Sequence, residues 1–344
     1  MNNFMISSFD YHLPISQIAN EPLTKRDNSK LMHLDVKSRK IENKQFHDIV
    51  SLFNKGDLVI LNNTKVIPGR VFLKRETGGQ VEILFDKIIS LNSFKAIYSS
   101  SKPLTIGTKL FYEKDNYFIV ESKQKNYITL SHKLNESVIR TLKRIGTIPL
   151  PKYIKRPTSE NDEKRYQTIY ANKEGSIAAP TAGLHFTNEI IDQLLNKGVN
   201  IKSLTLHISY NTFKPIICDN YLEHDIGKEF FIIEKQLIDV IRRTKEKGKR
   251  VIAVGTTVVR AIEHIFSQNI NDDTNDYVDL FIYPGYKFKV IDVLLTNFHL
   301  PKSTLLLLVC AFGGKDIILN AYKEAVKKNY RFYSYGDCML INKL

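Results

Sequence analysis

Three stretches of this 344-residue chain gather polar and small residues where a packed core would place neither. The first, Gly175 to Thr187, reads Gly-Ser-Ile-Ala-Ala-Pro-Thr-Ala-Gly-Leu-His-Phe-Thr. Its small residues let a ligand or a second backbone come close, and His185 stands just before a helix start whose free N–H groups suit an anion or carboxylate. The second, Gly255-Thr256-Thr257, has the form of a cradle for phosphate or carboxylate, with Arg260 one turn on as counter-ion; ordinary helix capping is the competing reading. The third is the loop Thr296 to Pro301, where His299, beside Asn297 and Pro301, presents an imidazole to solvent and substrate. Imidazoles trade protons near neutral pH, so His185 and His299 are the acid–base candidates. His207 alternates with apolar neighbours and reads as packed, His224 between Glu223 and Asp225 reads as a solvated turn, and Thr77-Gly78-Gly79 reads as a hairpin turn.

Other chemistries lack their signatures. No histidine spacing matches a metal site, and Cys218, Cys310 and Cys338 are too few and scattered for a disulfide framework or zinc site. There is no P-loop, no G-x-G-x-x-G after a strand and no G-x-S-x-G elbow, which argues against nucleotide hydrolysis, Rossmann or methyltransferase chemistry and hydrolase chemistry.

The elements that must hold these stretches fall into two textures. Residues 1–65 begin with an expected helix striped by Phe46, Ile49, Val50 and Phe53, then a short strand from Leu58 to Leu61. From about 66 to 133 the pattern turns to period two (Val81 to Phe85, Phe94 to Tyr98, Lys109 to Tyr112, Tyr117 to Glu121, Tyr127 to Ser131), which predicts a small antiparallel barrel or sandwich. A short helix near 136–144 and Pro149-Leu150-Pro151 close it. Beyond, strands and helices alternate: a helix capped by Thr187 and closed by Gly198, strands at Ile201 to Ile208, Val251 to Val254 and Val290 to Leu295, and an apolar helix capped by Ser303 and ended by Gly313-Gly314. The expected architecture is an α/β domain, residues 1–65 and 149–344, interrupted by a β-barrel over 66–148, with ligand sites at strand-to-helix turns.

Composition is ordinary for a globular chain, 43% hydrophobic and 25% charged. The longest apolar run, Leu305 to Phe312, is far below the ~18 to 20 residues that cross a bilayer, and the first dozen residues carry Asp10 and His12 rather than a signal-like apolar core, so a cytoplasmic protein is expected. The net charge of +14 points to a polyanionic partner. Residues 66–150 hold 14 basic and 7 acidic side chains, half of that excess in a quarter of the chain.

Strings along the whole chain resemble the S-adenosylmethionine:tRNA ribosyltransferase-isomerase family of queuosine biosynthesis. They run in order: Phe9-Asp10-Tyr11-x-Leu13-Pro14, Arg26-Asp27, Ile67-Pro68-Gly69-Arg70, Thr77-Gly78-Gly79-x-Val81-Glu82, Tyr166-Gln167-Thr168-x-Tyr170, Ala178 to Thr187, Gly255-Thr256-Thr257, Tyr283-Pro284-Gly285-Tyr286, Leu295 to Thr304, and Tyr330 to Asp337. The resemblance implies a larger α/β domain interrupted by a small β-barrel. It also implies that the ribosyl part of S-adenosylmethionine passes to 7-aminomethyl-7-deazaguanine at the wobble position of tRNA and is rearranged to epoxyqueuosine, releasing adenine and methionine. S-adenosylmethionine is then a consumed substrate, with no further cofactor and no metal, and the expected enzyme is a monomer.

Candidate catalytic groups on this resemblance are His185, His299, Asp10, Asp27 and Glu82, and candidate tRNA contacts are Lys74 and Arg75 on the basic insert. Substrate contacts are expected from Arg26, Asn62, Thr64, Arg70, Thr77, Gly78, Gly79, Tyr166, Gln167, Pro180, Thr181, Ala182, Gly183, Gly255, Thr256, Thr257, Arg260, Tyr283, Asn297, Ser303, Thr304 and Asp337. The chain departs from the family pattern at Asn63 and Lys65, where an aspartate and an arginine are usual, at Ser209 and Asn211, where glycines are usual, and at Gly227, where a histidine is expected. A catalytically inactive descendant that still binds tRNA is therefore the alternative.

Overall fold

The computed structural model describes residues 4–134, 136–209 and 216–343. In chain order the strands are β1 (Lys30–Asp35), β2 (Lys40–Gln45), β3 (Leu58–Asn62), β4 (Thr64–Val66), β5 (Arg70–Arg75), β6 (Gln80–Ser90), β7 (Ser93–Ser100), β8 (Lys109–Phe111), β9 (Tyr117–Gln124), β10 (Tyr127–Ser131), β11 (Lys173–Ser176), β12 (Asn200–His207), β13 (Glu229–Ile233), β14 (Val251–Val254), β15 (Thr274–Val278), β16 (Val293–Asn297) and β17 (Cys338–Asn342). The helices are α1 (Ile49–Leu52), α2 (Val138–Ile145), α3 (Glu160–Arg165), α4 (Asn188–Asn196), α5 (Lys235–Glu246), α6 (Thr256–Ser267), α7 (Thr304–Gly313) and α8 (Lys315–Lys327).

Nine strands form one mixed sheet in the order β15-β13-β12-β3-β14-β16-β17-β1-β2, with β12, β3, β14 and β16 parallel. Every residue of β3, β14 and β16 is buried, because helices cover both faces and no solvated face remains to demand alternation. α5 to α8 supply one cover, and α4 with Phe46, Phe53 and Phe186 supplies the other.

β5 to β10 close into a separate six-stranded antiparallel barrel filled by Leu73, Ile83, Phe94 and Phe118, with Val138 and Leu142 of α2 packed into the same core. The chain returns to the sheet domain where Thr147 pairs with Arg70, a crossing so close that a Cβ at Gly146 would lie 1.9 Å from the Pro68 carbonyl oxygen. The fold is thus the α/β sheet domain with an inserted barrel that the period-two texture indicated.

Three local expectations change. The stripe from Phe46 to Phe53 forms only a 3-10 turn and the four-residue α1, since Phe53 is already extended. β16 begins at Val293, because Asp292 is occupied capping the start of β14 through the Val251 N–H at 2.9 Å. β17 inserts between β16 and β1, a pairing with no local signal. Among the described residues no single helix is long and apolar enough to cross a membrane, and the apolar α7 lies almost wholly inside the core.

Candidate active site

A cavity of about 220 Å³ opens at the C-terminal ends of β14 and β16, the edge of a parallel sheet where ligands bind. Gly255 makes the turn out of β14 at φ +94°, a backbone conformation that would strain any residue with a side chain, and its N–H is tied to the Leu295 carbonyl at 2.8 Å. α6 therefore starts at the cavity, with Thr256 and Thr257 in its lining. The Thr257 hydroxyl is buried without a hydrogen-bond partner. Ala179 to Ala182 form one wall and Thr296 to Ser303 the other, so the two longest strings quoted above meet here although they are far apart in the chain.

The Thr296–Ser303 wall is rigidly built. Ser303 caps α7, accepting the Leu306 N–H at 3.2 Å and donating to the Leu300 carbonyl at 2.7 Å, and Thr304 opens that helix. His299 is fixed at three points: Nε2 lies 2.8 Å from Thr296 Oγ1, its N–H donates to the Tyr322 hydroxyl at 3.2 Å, and the Tyr11 hydroxyl donates to its carbonyl. Burial lowers its pKa to about 3, so the imidazole is neutral at physiological pH. The Asn297 amide donates to the Tyr333 carbonyl at 2.9 Å, and its side chain also interacts with the buried His185 ring. At the rim, Lys302 stands 2.6 Å from Asp10.

Lys302, Phe298, Ile208 and Tyr333 also line the cavity and were not singled out from the sequence. Lys302 and Phe298 lie inside the Leu295 to Thr304 string, and that adjacency was their one signal.

Other expected residues have internal duties. His185 is not a surface loop group: it is 4% exposed, its ring 5.1 Å from Phe46 and its Nδ1 2.7 Å from the Ser29 hydroxyl, and burial lowers its pKa to about 4. Gly183 makes room not for a ligand but for the Tyr170 hydroxyl, 2.0 Å from where a Cβ would stand. Arg260 is not a free counter-ion; it is buried, ion-paired with Glu229, and donates to the Leu280 carbonyl at 3.0 Å. The Asn62 side chain bridges to the Leu206 backbone, Gln167 brackets Val66 through both backbone groups, and Asp337 accepts the Lys30 and Arg331 N–H groups. Arg26 donates to the Leu184 and Lys164 carbonyls, and Tyr166 is fully buried against Tyr335.

Asp27 sits in a 3-10 turn, Tyr283 packs on Tyr221, and neither lines the cavity. On the barrel, Arg70 pairs with Glu82 at 3.1 Å, and Thr77-Gly78-Gly79 turns the β5–β6 hairpin with Gly78 at φ +83°. Lys74 is exposed, whereas Arg75 is half-buried and tethered to the barrel by the Lys102 and Pro103 carbonyls.

A second cleft, of about 590 Å³, separates the barrel from the sheet domain. His207 faces it, contrary to the packed position expected of it, with Nδ1 2.7 Å from Thr64 Oγ1 and a pKa lowered to about 4 by partial burial. The departures from the family pattern cluster nearby. Lys65 keeps a cation 3.2 Å from Glu174, and Asn63 bonds Ser203 and Thr205. The Ser209 N–H reaches Glu229 at 3.3 Å, and Gly227 takes a φ of +71°, in the left-handed region that glycine enters most readily. Asn211 lies outside the described residues.

The chain is similar to known proteins along almost its whole length. A family model described as queuosine biosynthesis protein matches residues 6–341. A relative from Coxiella burnetii (strain RSA 331 / Henzerling II) named S-adenosylmethionine:tRNA ribosyltransferase-isomerase is 43% identical over 99% of both chains. One of the same name from a Sulfurihydrogenibium species is 44% identical over 98% of this chain and 99% of its own. The crystal structure of an S-adenosylmethionine tRNA ribosyltransferase from Thermotoga maritima is similar at 34% identity and a TM-score of 0.55, covering 97% of this chain and 99% of that one.

Proposed function

The chain belongs to the queuosine biosynthesis protein family, and from that premise we propose that it is an S-adenosylmethionine:tRNA ribosyltransferase-isomerase. It moves the ribosyl part of S-adenosylmethionine onto the aminomethyl nitrogen of 7-aminomethyl-7-deazaguanine at the tRNA wobble position, rearranges it to epoxyqueuosine, and releases adenine and methionine. The observation that carries this reading is the convergence of Ala179–Ala182, Gly255–Thr257 and Thr296–Ser303 on one cavity.

The α6 N-terminus suits the donor's amino-acid carboxylate, since unsatisfied N–H groups and the helix dipole favour negative charge. The enclosed volume is below the roughly 300 Å³ of ordinary ligand pockets, so the remainder of the donor lies toward the mouth. There Asp10, beside Lys302, supplies a carboxylate for the sulfonium. The sulfonium acidifies the neighbouring C5′ hydrogens, which lets a weak base suffice. Neutral His299 serves as that base in the tautomer whose Nε2–H donates to Thr296 Oγ1, which leaves the Nδ1 lone pair open. Asp27 and Glu82, away from the cavity, are less suited to it. No metal and no cofactor beyond the consumed donor enters the scheme, and the enzyme works as a cytoplasmic monomer.

Incubation with tRNA carrying the modified base, followed by nucleoside mass spectrometry, is expected to give one ribosyl-derived adduct per adenine released, unaffected by a chelator. Retention of tRNA without adenine release identifies the inactive descendant instead.

A further inference from the structure

The cleft between barrel and sheet domain carries a pattern that donor chemistry does not use. His207, Phe230 and Tyr277 are direct partners across β12, β13 and β15. Their rings form a row: His207 stacks on Phe230 at 6.0 Å and 20°, and Phe230 meets Tyr277 edge-on at 5.4 Å. On β13 the alternation sends Phe231 and Ile233 into the core, so Phe230 occupies an outward position where a polar residue is the rule. Tyr277 is 38% exposed. Facing this row from the barrel are Lys87, 5.2 Å over the Tyr277 ring, and Lys95, 4.3 Å over Tyr127.

Rings on one side and cations on the other are what an unpaired nucleotide requires: bases stack on aromatic faces without regard to sequence, and lysines hold the phosphates. Position fixes which nucleic acid this is. His207 lines the cleft and the next residue, Ile208, lines the donor cavity, so the two spaces adjoin at the end of β12. We propose that this cleft holds an unstacked nucleotide of the tRNA loop, its base on the Phe230–Tyr277 wall and its phosphates at Lys87 and Lys95. The assignment rests on the tRNA-modifying function proposed above and adds where the RNA strand lies.

The test uses the full chain and an anticodon stem–loop RNA bearing 7-aminomethyl-7-deazaguanine, with retention measured against salt and S-adenosylmethionine affinity measured separately by calorimetry. Phe230→Leu keeps an apolar cross-strand contact and is expected to weaken RNA binding about tenfold, the loss of one stacked base. Lys95→Gln is expected to flatten the salt dependence by about 0.7 of a unit, one phosphate contact on a single strand. Donor affinity stays at the wild-type value in both. RNA binding unchanged in both variants overturns the proposal, as does an equal loss of donor affinity, which makes the ring row a support for the cavity. Wild-type protein that retains no RNA overturns the functional reading itself, so the two failures are distinguishable. Should Phe230→Leu not fold, Lys95→Gln decides alone.

Discussion

His185 sits with its ring against Phe46 and its Nδ1 on the Ser29 hydroxyl, and the consequence is thermodynamic. Burial lowers its pKa to about 4, against roughly 6.5 for an unfolded chain. Below about pH 6.5 the unfolded state takes a proton that the folded state refuses until about pH 4, so stability is full above that window and falls as pH drops through it. At about 1.4 kcal/mol per unit, the loss at pH 5 is on the order of 2 kcal/mol. Thermal melts at pH 7.5 and pH 5 are expected to show wild type losing more stability than His185→Gln. His207 and His299 are shifted the same way and keep some fall in the variant. Equal falls in both proteins refute a buried neutral His185. The sequence marked this stretch as special, correctly, but a glycine demanded by the Tyr170 hydroxyl and a glycine demanded by a ligand are the same letter. Only the neighbour 13 residues back, brought alongside by folding, separates the two.

The first turn of α6 offers a cleaner test of the donor site. Thr257 buries a hydroxyl with no partner, which costs free energy unless a ligand meets it. Thr257→Val removes the hydroxyl at constant shape. Its melting temperature is expected to match or exceed wild type, while S-adenosylmethionine affinity falls about 3- to 10-fold, one ordinary hydrogen bond of ~0.5 to 1.5 kcal/mol. Wild-type affinity in calorimetry would move the donor off this helix end. At this scale legibility followed local signals. The barrel strands announced themselves because each buries one face, giving period two at Val81, Ile83 and Phe85. The caps Thr187 and Ser303 were readable because their side chains bond the N–H three residues on. β2, Lys-Ile-Glu-Asn-Lys-Gln, was not: as the sheet edge it has no buried face and so no pattern. β13 and β15 hid likewise, their outward rings at Phe230 and Tyr277 breaking the expected alternation.

Over the whole molecule the charge of +14 is not one surface. The stretch from Arg242 to Arg250, six of whose nine residues are basic, runs from the end of α5 directly into β14, so it lies at the N-terminal edge of the parallel strands, the end opposite the donor cavity. Part of it is already committed there: Lys245 pairs with Asp292 at 2.6 Å, and Arg250 with Asp57. Net charge read from sequence sums these anchoring cations with those that line the interdomain cleft, and only the topology separates them. Arg243 and Lys247 are two exposed members of the run outside those pairs, both near the C-terminal end of α5. The double variant Arg243→Gln with Lys247→Gln removes two positive charges without adding an acid to a helix C-terminus, so folding should lose only the roughly 0.3 to 1 kcal/mol that each cation gives a helix C-terminus. If tRNA binds on the cavity side, its salt dependence is expected to keep the wild-type slope, whereas two lost phosphate contacts would flatten it by nearly two units. A flattened slope would place phosphate contacts at the N-terminal edge of the parallel strands, the end opposite the donor cavity.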